Sequence, residues 1–257
     1  MTPTLVFDIE TIPDTDGLRV LYDLPADTSA EDVGNIALHQ RRQHNGSEFL
    51  PLHQHRVVAI SCALREGDNF KVWTLGTVES TEKEIIQRFY DGIDKYKPQL
   101  ISWNGGGFDL PVLHYRGLIN RVNACCYWDM GEDDKDFKWN NYISRYHARH
   151  LDLMDLLAMF NARANAPLDD LAKLCGFPGK LGMDGSKVWD AYKAGKLEEI
   201  RNYCETDVAN THLVYLRFQL MRGQLTQQAY EEEVALVRST LEGYGESHWQ
   251  EYLSAWK

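Results

Sequence analysis

The chain has 257 residues, 44% hydrophobic and 25% charged, enough apolar material for a buried core and an ordinary charge content for a water-facing surface. Asp and Glu number 38 against 27 Lys and Arg, a net charge of −11. That balance argues against broad electrostatic adhesion to nucleic acid, but not against an enzyme that meets phosphate through bound cations. No run of about 18 apolar residues is present, so no membrane span is expected. The N-terminus lacks a basic n-region and a cleavage site, so secretion is not expected either. Five cysteines without a CxxC pair fit neither a zinc ribbon nor a redox dithiol, and suit idle thiols in a reducing cytoplasm.

Thr4 to Ile9 (TLVFDI) is a short β-rich run that stops at acids and Pro13. Residues 14–55 have weak periodicity, many turn formers and four histidines, and read as an insertion or lid. Arg56 to Leu64 and Phe70 to Leu75 predict two strands joined by a turn at Glu66-Gly67-Asp68-Asn69. Ile85, Ile86, Phe89 and Ile93 recur at helical spacing between Ser80 and Tyr96, and Pro98 ends that helix. Leu100 to Trp103 predicts another strand, Asn104-Gly-Gly-Gly a turn, and Phe108 to Arg116 a further helix. From Leu151 the pattern is mainly helical: 151–161, 167–175, 186–194, a long run over 196–221, and a terminal amphipathic segment over 226–243. The expectation is an α/β fold, a mixed sheet flanked by helices, with the N-terminal insertion and a helical C-terminal part. One domain over 1–257 is the economical reading, with 226–257 as an extension.

Three local patterns carry chemistry. Asp8 and Glu10 alternate on one strand and so share a face, where two carboxylates repel unless a cation lies between them. A hard divalent ion would supply it, yet acids at a solvated strand end are common. In Asn104-Gly-Gly-Gly-Phe108-Asp109, glycines at a strand-to-helix turn allow positive φ and close approach of a ligand. Asp109 then lies near a helix N-terminus at the carboxyl end of a strand, although the helix dipole alone favours the same residue. Tyr203 and Asp207 stand four apart in a helical run and can address one point. A core aromatic and a surface acid would look the same. Glu205 points elsewhere at that spacing and reads as a solvated acid.

Taken together, DxE on the first strand, N-x3-F-D after a later strand and Y-x3-D in a late helix resemble the DEDD exonuclease superfamily. The tyrosine variant is indicated, because Tyr203 precedes Asp207 by four and Asn202 stands where the histidine variant needs His. The stretches VFDIETIP, ISWNGGGFDLPVL, RHLDLMDLL, APLDDLAKLCGFPGKLGMDGSKVWDAY and YCETDVANTHLVYLRFQL look like the bacterial family of predicted 3′–5′ exonucleases related to the proofreading domain of family-B DNA polymerases. That resemblance implies a ribonuclease H-like fold and a catalytic set of Asp8, Glu10, Asp109, Tyr203 and Asp207. It implies two Mg²⁺ or Mn²⁺ ions on the four carboxylates, and substrate contacts at Thr11, Ile12, Asn104 and Phe108. The implied partner is single-stranded nucleic acid with a free 3′ end, DNA ahead of RNA, in a role such as DNA repair. An exoribonuclease, a non-catalytic nucleic-acid binder and a phosphohydrolase of small nucleotides stay open as alternatives.

Other residues support less. Lys135 to His150 mixes Lys138, Arg145 and Arg149 with Trp139, Tyr142 and Tyr146, which suits a strand-tracking surface. A half-buried connector with core aromatics is slightly favoured over it. Lys180 and Lys187, in the glycine-rich segment PGKLGMDGSK, are candidates for phosphate contact, with a purely structural loop as an equal alternative. Asp152 reads as a helix cap or supporting acid, and Asp155 and Asp169 as surface or cap acids. His39, His44, His53 and His55 show no H-x3-H or HExxH spacing and are not read as a zinc site.

Overall fold

The computed structural model describes residues Thr2–Lys257. Five strands form one mixed sheet: β1 (Thr4–Pro13), β2 (His55–Glu66), β3 (Asn69–Thr74), β4 (Gln99–Ser102) and β5 (His150–Asp152), in the order β3-β2-β1-β4-β5. β1 lies at the centre, antiparallel to β2 and parallel to β4, and β4 is parallel to β5. The carboxyl ends of β1, β4 and β5 therefore share one edge, beside the junction of the parallel and antiparallel halves. That is where α/β sheets place their sites.

Alternation along β1 sorts its side chains between two cores. Leu5, Phe7 and Ile9 pack with Ile86, Phe89 and Leu113 from α3 (Glu82–Tyr96) and α4 (Asp109–Asn120). Val6 packs on the other face with Val208, Ala209 and Leu213 from α9 (Leu197–Met221). Asp8 and Glu10 are in phase with Val6, so the strand turns both acids toward α9. This helix is about 37 Å long and buried almost all round between Ile200 and Leu216. Packed on it are α7 (Leu168–Leu174), α10 (Gln227–Glu242) and α11 (Ser247–Ala255), whose Trp249 and Tyr252 belong to the same core. The C-terminal part is thus two helices, not the single one expected.

Two other expectations change. The segment 151–161 is not one helix: β5 takes its first residues, and α6 spans only Leu153–Leu157 before Met159 and Phe160 turn left-handed at φ 53° and 59°. Three residues are too few for a strand period to show; pairing with β4 defines them. The turn-rich region 14–55 holds two helices, α1 (Thr15–Leu21) and α2 (Ala30–Asn45). Asp14 and Ser29 cap their N-termini, and Leu18, Val33, Ala37 and Leu50 form a small core of their own. The remaining short helices are α5 (Cys125–Trp128) and α8 (Val188–Lys193).

A buried ion network ties the 14–55 region to the sheet. The Arg116 guanidinium donates to Glu82 at 2.8 and 2.6 Å and also to Asp14, while Val57 N–H donates to Glu82 at 2.7 Å. One cation thereby holds the starts of α1 and α3 against β2. Removing one member of a buried network strands its partners' charge, which costs about 3–5 kcal/mol. Arg116→Ala is expected to lower stability by about that amount in urea unfolding, far beyond an exposed control such as Arg42→Ala.

Candidate active site

β1 delivers Asp8, half-buried, and Glu10, buried, to the α9 face, and α9 answers with Tyr203, Cys204 and Asp207, all three buried. Carboxylate oxygens of Asp8 and Glu10 and the Cys204 sulfur lie within 4.8 Å of one another, with Cys204 Sγ 3.6 Å from Asp8 Oδ2. Asp109 enters from the start of α4, and its Oδ1 accepts from the Ile9 backbone N–H at 3.0 Å. The five expected catalytic side chains therefore meet at one place, from three separated parts of the chain.

The loop before Asp109 is built for close approach. Its left-handed residue is Asn104 (φ 66°), and none of the three glycines after it has positive φ. Gly105 is needed for room: a Cβ there would collide with the Ser102 side chain. The Asp152 carboxylate accepts from Asn104 N–H at 3.0 Å and Gly106 N–H at 2.8 Å, and also caps α6. Asp152 thus supports the loop from behind, as its sequence position suggested.

Lys180 is the cation of the site. Its Nζ lies 3.0 Å from Asp207 Oδ2, donates to the Tyr203 hydroxyl, and stands 4.9 Å from that ring's centroid. Asp169 accepts from Lys180 N–H at 2.7 Å, and Asn210 holds Gly179 at both its N–H (3.2 Å) and its carbonyl (2.9 Å). Tyr252 of α11 donates to Asn210 at 2.9 Å, so the C-terminal helix braces this loop. The sequence suggests a phosphate contact for Lys180; its approach to Asp207 crosses 27 residues and leaves no local signal. Lys187 pairs with Asp184 at 3.0 Å on the surface instead.

Burial and crowding dominate the electrostatics. Burial, then the charges of Asp109, Glu10 and Asp207, raise the Asp8 carboxyl far above the ordinary range. Burial and Asp207 do the same to Glu10. Burial lifts Asp109 to about 7 despite its backbone hydrogen bonds, and raises Asp207 although Lys180 opposes it. Burial alone would lower Lys180, but Asp207, Asp8 and Glu10 outweigh it and raise it. Burial, helped by Asp207 and Glu10, pushes the Tyr203 phenol well above its usual range. Asp207 Oδ1 is buried with no hydrogen-bond partner among the described residues. A buried carboxylate oxygen without a donor is costly, and hard-oxygen donors around one spot suit a divalent cation. The residues fit such an ion.

Beside the acids opens a cavity of about 730 Å³, lined by Glu10, Thr11, Phe49, His55, Phe108 and Trp189 among others. Phe108 meets His55 edge-on at 5.3 Å and Phe49 at 5.6 Å. Ile12 borders this cavity but is buried in a cluster with Ala59, Val188 and Ile200. Phe49, His55 and Trp189 were not singled out by motif, since they come from distant segments.

Other expectations divide. Glu205 is not a free surface acid: it accepts from Thr74 at 2.8 Å and pairs with His248 at 3.1 Å. Within 135–150, Phe137 and Tyr142 are core, whereas Trp139 (77% exposed) and Tyr146 (86%) face solvent, so both readings hold in part. Asp155 is a surface acid bridged to Arg145 at 3.3 Å. Of the four histidines, His55 bonds Thr11, His39 meets Gln43, and His53 lies edge-on to Tyr115.

A mixed sheet with acids gathered at the carboxyl edge of its central strand defines an α/β fold of the polymerase-exonuclease kind. The chain belongs to the family of predicted 3′–5′ exonucleases related to the exonuclease domain of PolB, which it matches over residues 47–256. That match begins after β1, so Asp8 and Glu10 lie outside it. The DNA polymerase epsilon catalytic subunits of Emericella nidulans and Aspergillus fumigatus are each 24% identical over 145 residues, 54% of this chain and 6% of theirs. The chain thus spans a small fraction of these relatives. The structure of a family B DNA polymerase from the archaeon Pyrobaculum calidifontis superposes with a TM-score of 0.51 at 17% identity, covering 86% of this chain and 25% of that one. That likeness is one of fold.

The raised acids set a pH dependence. Asp109 holds its proton in the folded chain up to about 7, above the ordinary unfolded range, so metal-free stability falls as pH rises toward that value. Asp109→Asn keeps the oxygen that accepts from Ile9 and removes the charge. In EDTA at pH 8 it is expected to be more stable than wild type by on the order of 1–3 kcal/mol, the gain shrinking as pH falls toward 5. Denaturant melts across that range check this; a loss at pH 8 would contradict it.

Proposed function

We propose that the chain is a 3′–5′ exonuclease that hydrolyses phosphodiester bonds from the free 3′ end of single-stranded nucleic acid, DNA ahead of RNA. The observation that carries this reading is the convergence of four carboxylates with one lysine, one Asp207 oxygen being left unpartnered among the described residues. Four carboxylates and one ammonium leave three net negative charges, which two divalent cations would turn to one positive. That is the right sign for a monoanionic phosphodiester. Asp8, Glu10, Asp109 and Asp207 would hold two Mg²⁺ or Mn²⁺ ions, the tyrosine type of this chemistry. Such ions, when bound, supply an activated water and stabilise the attacking and leaving oxygens.

The chain's own residues do the rest. Tyr203 stays a neutral phenol at any working pH, so it is no general base. Lys180 donates into its oxygen, which turns the hydroxyl proton away from the lysine and toward the Asp207 side, where it would orient water or phosphate. The Lys180 ammonium adds positive charge next to Asp207, where negative charge grows as the bond breaks. Thr11 and Phe108 border the space where the terminal nucleotide would lie, and Asn104 would act from the turn that leads to Phe108 and Asp109. Ile12 packs below that space.

DNA is placed first because the relatives named above are DNA polymerases. We take 1–257 as one exonuclease unit. No helix among the described residues is long and apolar enough to cross a membrane. The five free cysteines suit a reducing compartment, and we place the enzyme in the cytoplasm.

The test uses 5′-labelled DNA and RNA single strands of one sequence with Mg²⁺ or Mn²⁺. Wild type is expected to yield a ladder shortening from the 3′ end, faster on DNA. Asp8→Ala and Asp207→Ala should each lose more than about a hundredfold. No degradation with either metal and either polymer would overturn the reading in favour of a binder, and internal cuts on a 3′-blocked strand would make it an endonuclease.

A further inference from the structure

We infer that His55 locks the Thr11 hydroxyl as a hydrogen-bond acceptor, so that the cavity beside Glu10 selects a terminal nucleotide by a sugar hydroxyl and rejects a 3′-phosphate end. The inference rests on the exonuclease reading and adds how the end is recognised.

The backbone sets up the contact. Between Glu10 and Thr11 the pairing of β1 with β2 slips by one residue: Glu10 faces Ala59, but Thr11 faces Val57. The extra residue, Val58, lies in β2, while β1 keeps its alternation: Ile12 packs with the α9 side, and Thr11 on the other face meets His55 at the rim of the cavity that Glu10 also lines. Thr11 stays partly exposed there, while its neighbours Glu10 and Ile12 are buried.

The donor and acceptor roles follow from the partners. His55 Nε2 lies 3.1 Å from the Leu50 carbonyl oxygen, which can only accept, so Nε2 carries the proton. Burial holds the imidazole neutral, and its two hydrogen bonds go to Thr11 and Leu50 rather than to a carboxylate. Its Nδ1 therefore presents a lone pair, and it lies 2.8 Å from Thr11 Oγ1. Thr11 must spend its one proton on that nitrogen. What the hydroxyl then offers the cavity is lone pairs alone. This wall is complementary to a donor. A sugar hydroxyl is one; a phosphate monoester, dianionic and accepting, is not. Phe49, Phe108 and Trp189 give the rest of the cavity flat apolar surface on which a base can lie. His55 is thus a positioning residue that acts through Thr11, and the Leu50 carbonyl, at the end of the 14–55 region, fixes its tautomer.

The donor could be the 3′-hydroxyl or, on a ribose end, the 2′-hydroxyl. The experiment compares kcat/KM on 5′-labelled single strands that differ only in the last sugar: 3′-hydroxyl alone, 2′-hydroxyl alone, neither, or a 3′-phosphate. Wild type is expected to favour a hydroxyl end over the end with neither by about tenfold, the worth of one hydrogen bond, and to be slowest on the 3′-phosphate. Thr11→Val should flatten the hydroxyl preference to within about twofold, and Thr11→Ser should restore it. His55→Phe should raise use of the 3′-phosphate relative to the hydroxyl end, because the freed Thr11 proton can then donate. Discrimination that follows the 2′-hydroxyl keeps the acceptor assignment with that group as the donor. Equal cleavage of all ends by wild type, or a Thr11→Val enzyme with the wild-type preference, overturns the inference and leaves the exonuclease reading standing. No cleavage of any end overturns both.

Discussion

The structure depends on the contact between β1 and α9, which presses three carboxylates into one place with little access to water, with Asp109 of α4 held beside them by Ile9 N–H. Burial and mutual repulsion both favour the protonated forms, so this packing is in tension with itself at neutral pH. Apolar packing on either side resists that repulsion. Val6 with Val208, Ala209 and Leu213 closes one core, and Leu5, Phe7 and Ile9 with α3 and α4 close the other. Lys180 answers Asp207 with its ammonium and leaves one of the two carboxylate oxygens bare. Acids gathered at such a cost at one spot mark the candidate site.

Much of the surrounding architecture serves to hold that spot. Ile9 N–H fixes Asp109, and Asp152 fixes the loop that leads to it. Tyr252 on the last helix holds Asn210, Asn210 holds Gly179, and the next residue is Lys180. The C-terminal helices, which read as an extension, are thereby part of the site's support. The region 14–55 is likewise tied in, through Arg116 with Asp14 and Glu82, and through His55 with Thr11.

The sequence was most legible where short-range periodicity coincides with chemistry. Alternation in β1 put Asp8 and Glu10 on one face, and the four-residue spacing put Tyr203 beside Asp207; both hold in three dimensions. The sheet and the long helix were readable for the same reason. β5 was not, because three residues define no period and only β4 makes them a strand. The helices α1 and α2 were hidden by turn formers, two of which, Asp14 and Ser29, are their caps. Phe49, His55 and Trp189 are assigned to the site only by contacts across distant segments, and Lys180, a candidate by its segment, gains its pairing with Asp207 the same way. Glu205 was misread because β3 and α11 cover the face that helical spacing alone leaves to solvent.

Whether this acid cluster is a site for two divalent cations is tested most directly by titration calorimetry of Mn²⁺ into the metal-free protein, repeated in buffers of different ionisation enthalpy. Two ions per chain are predicted, bound with release of protons from the raised carboxyls, and a lower stoichiometry in Asp207→Asn. No binding, or binding without proton release that survives in both Asp8→Asn and Asp207→Asn, would contradict the two-cation site.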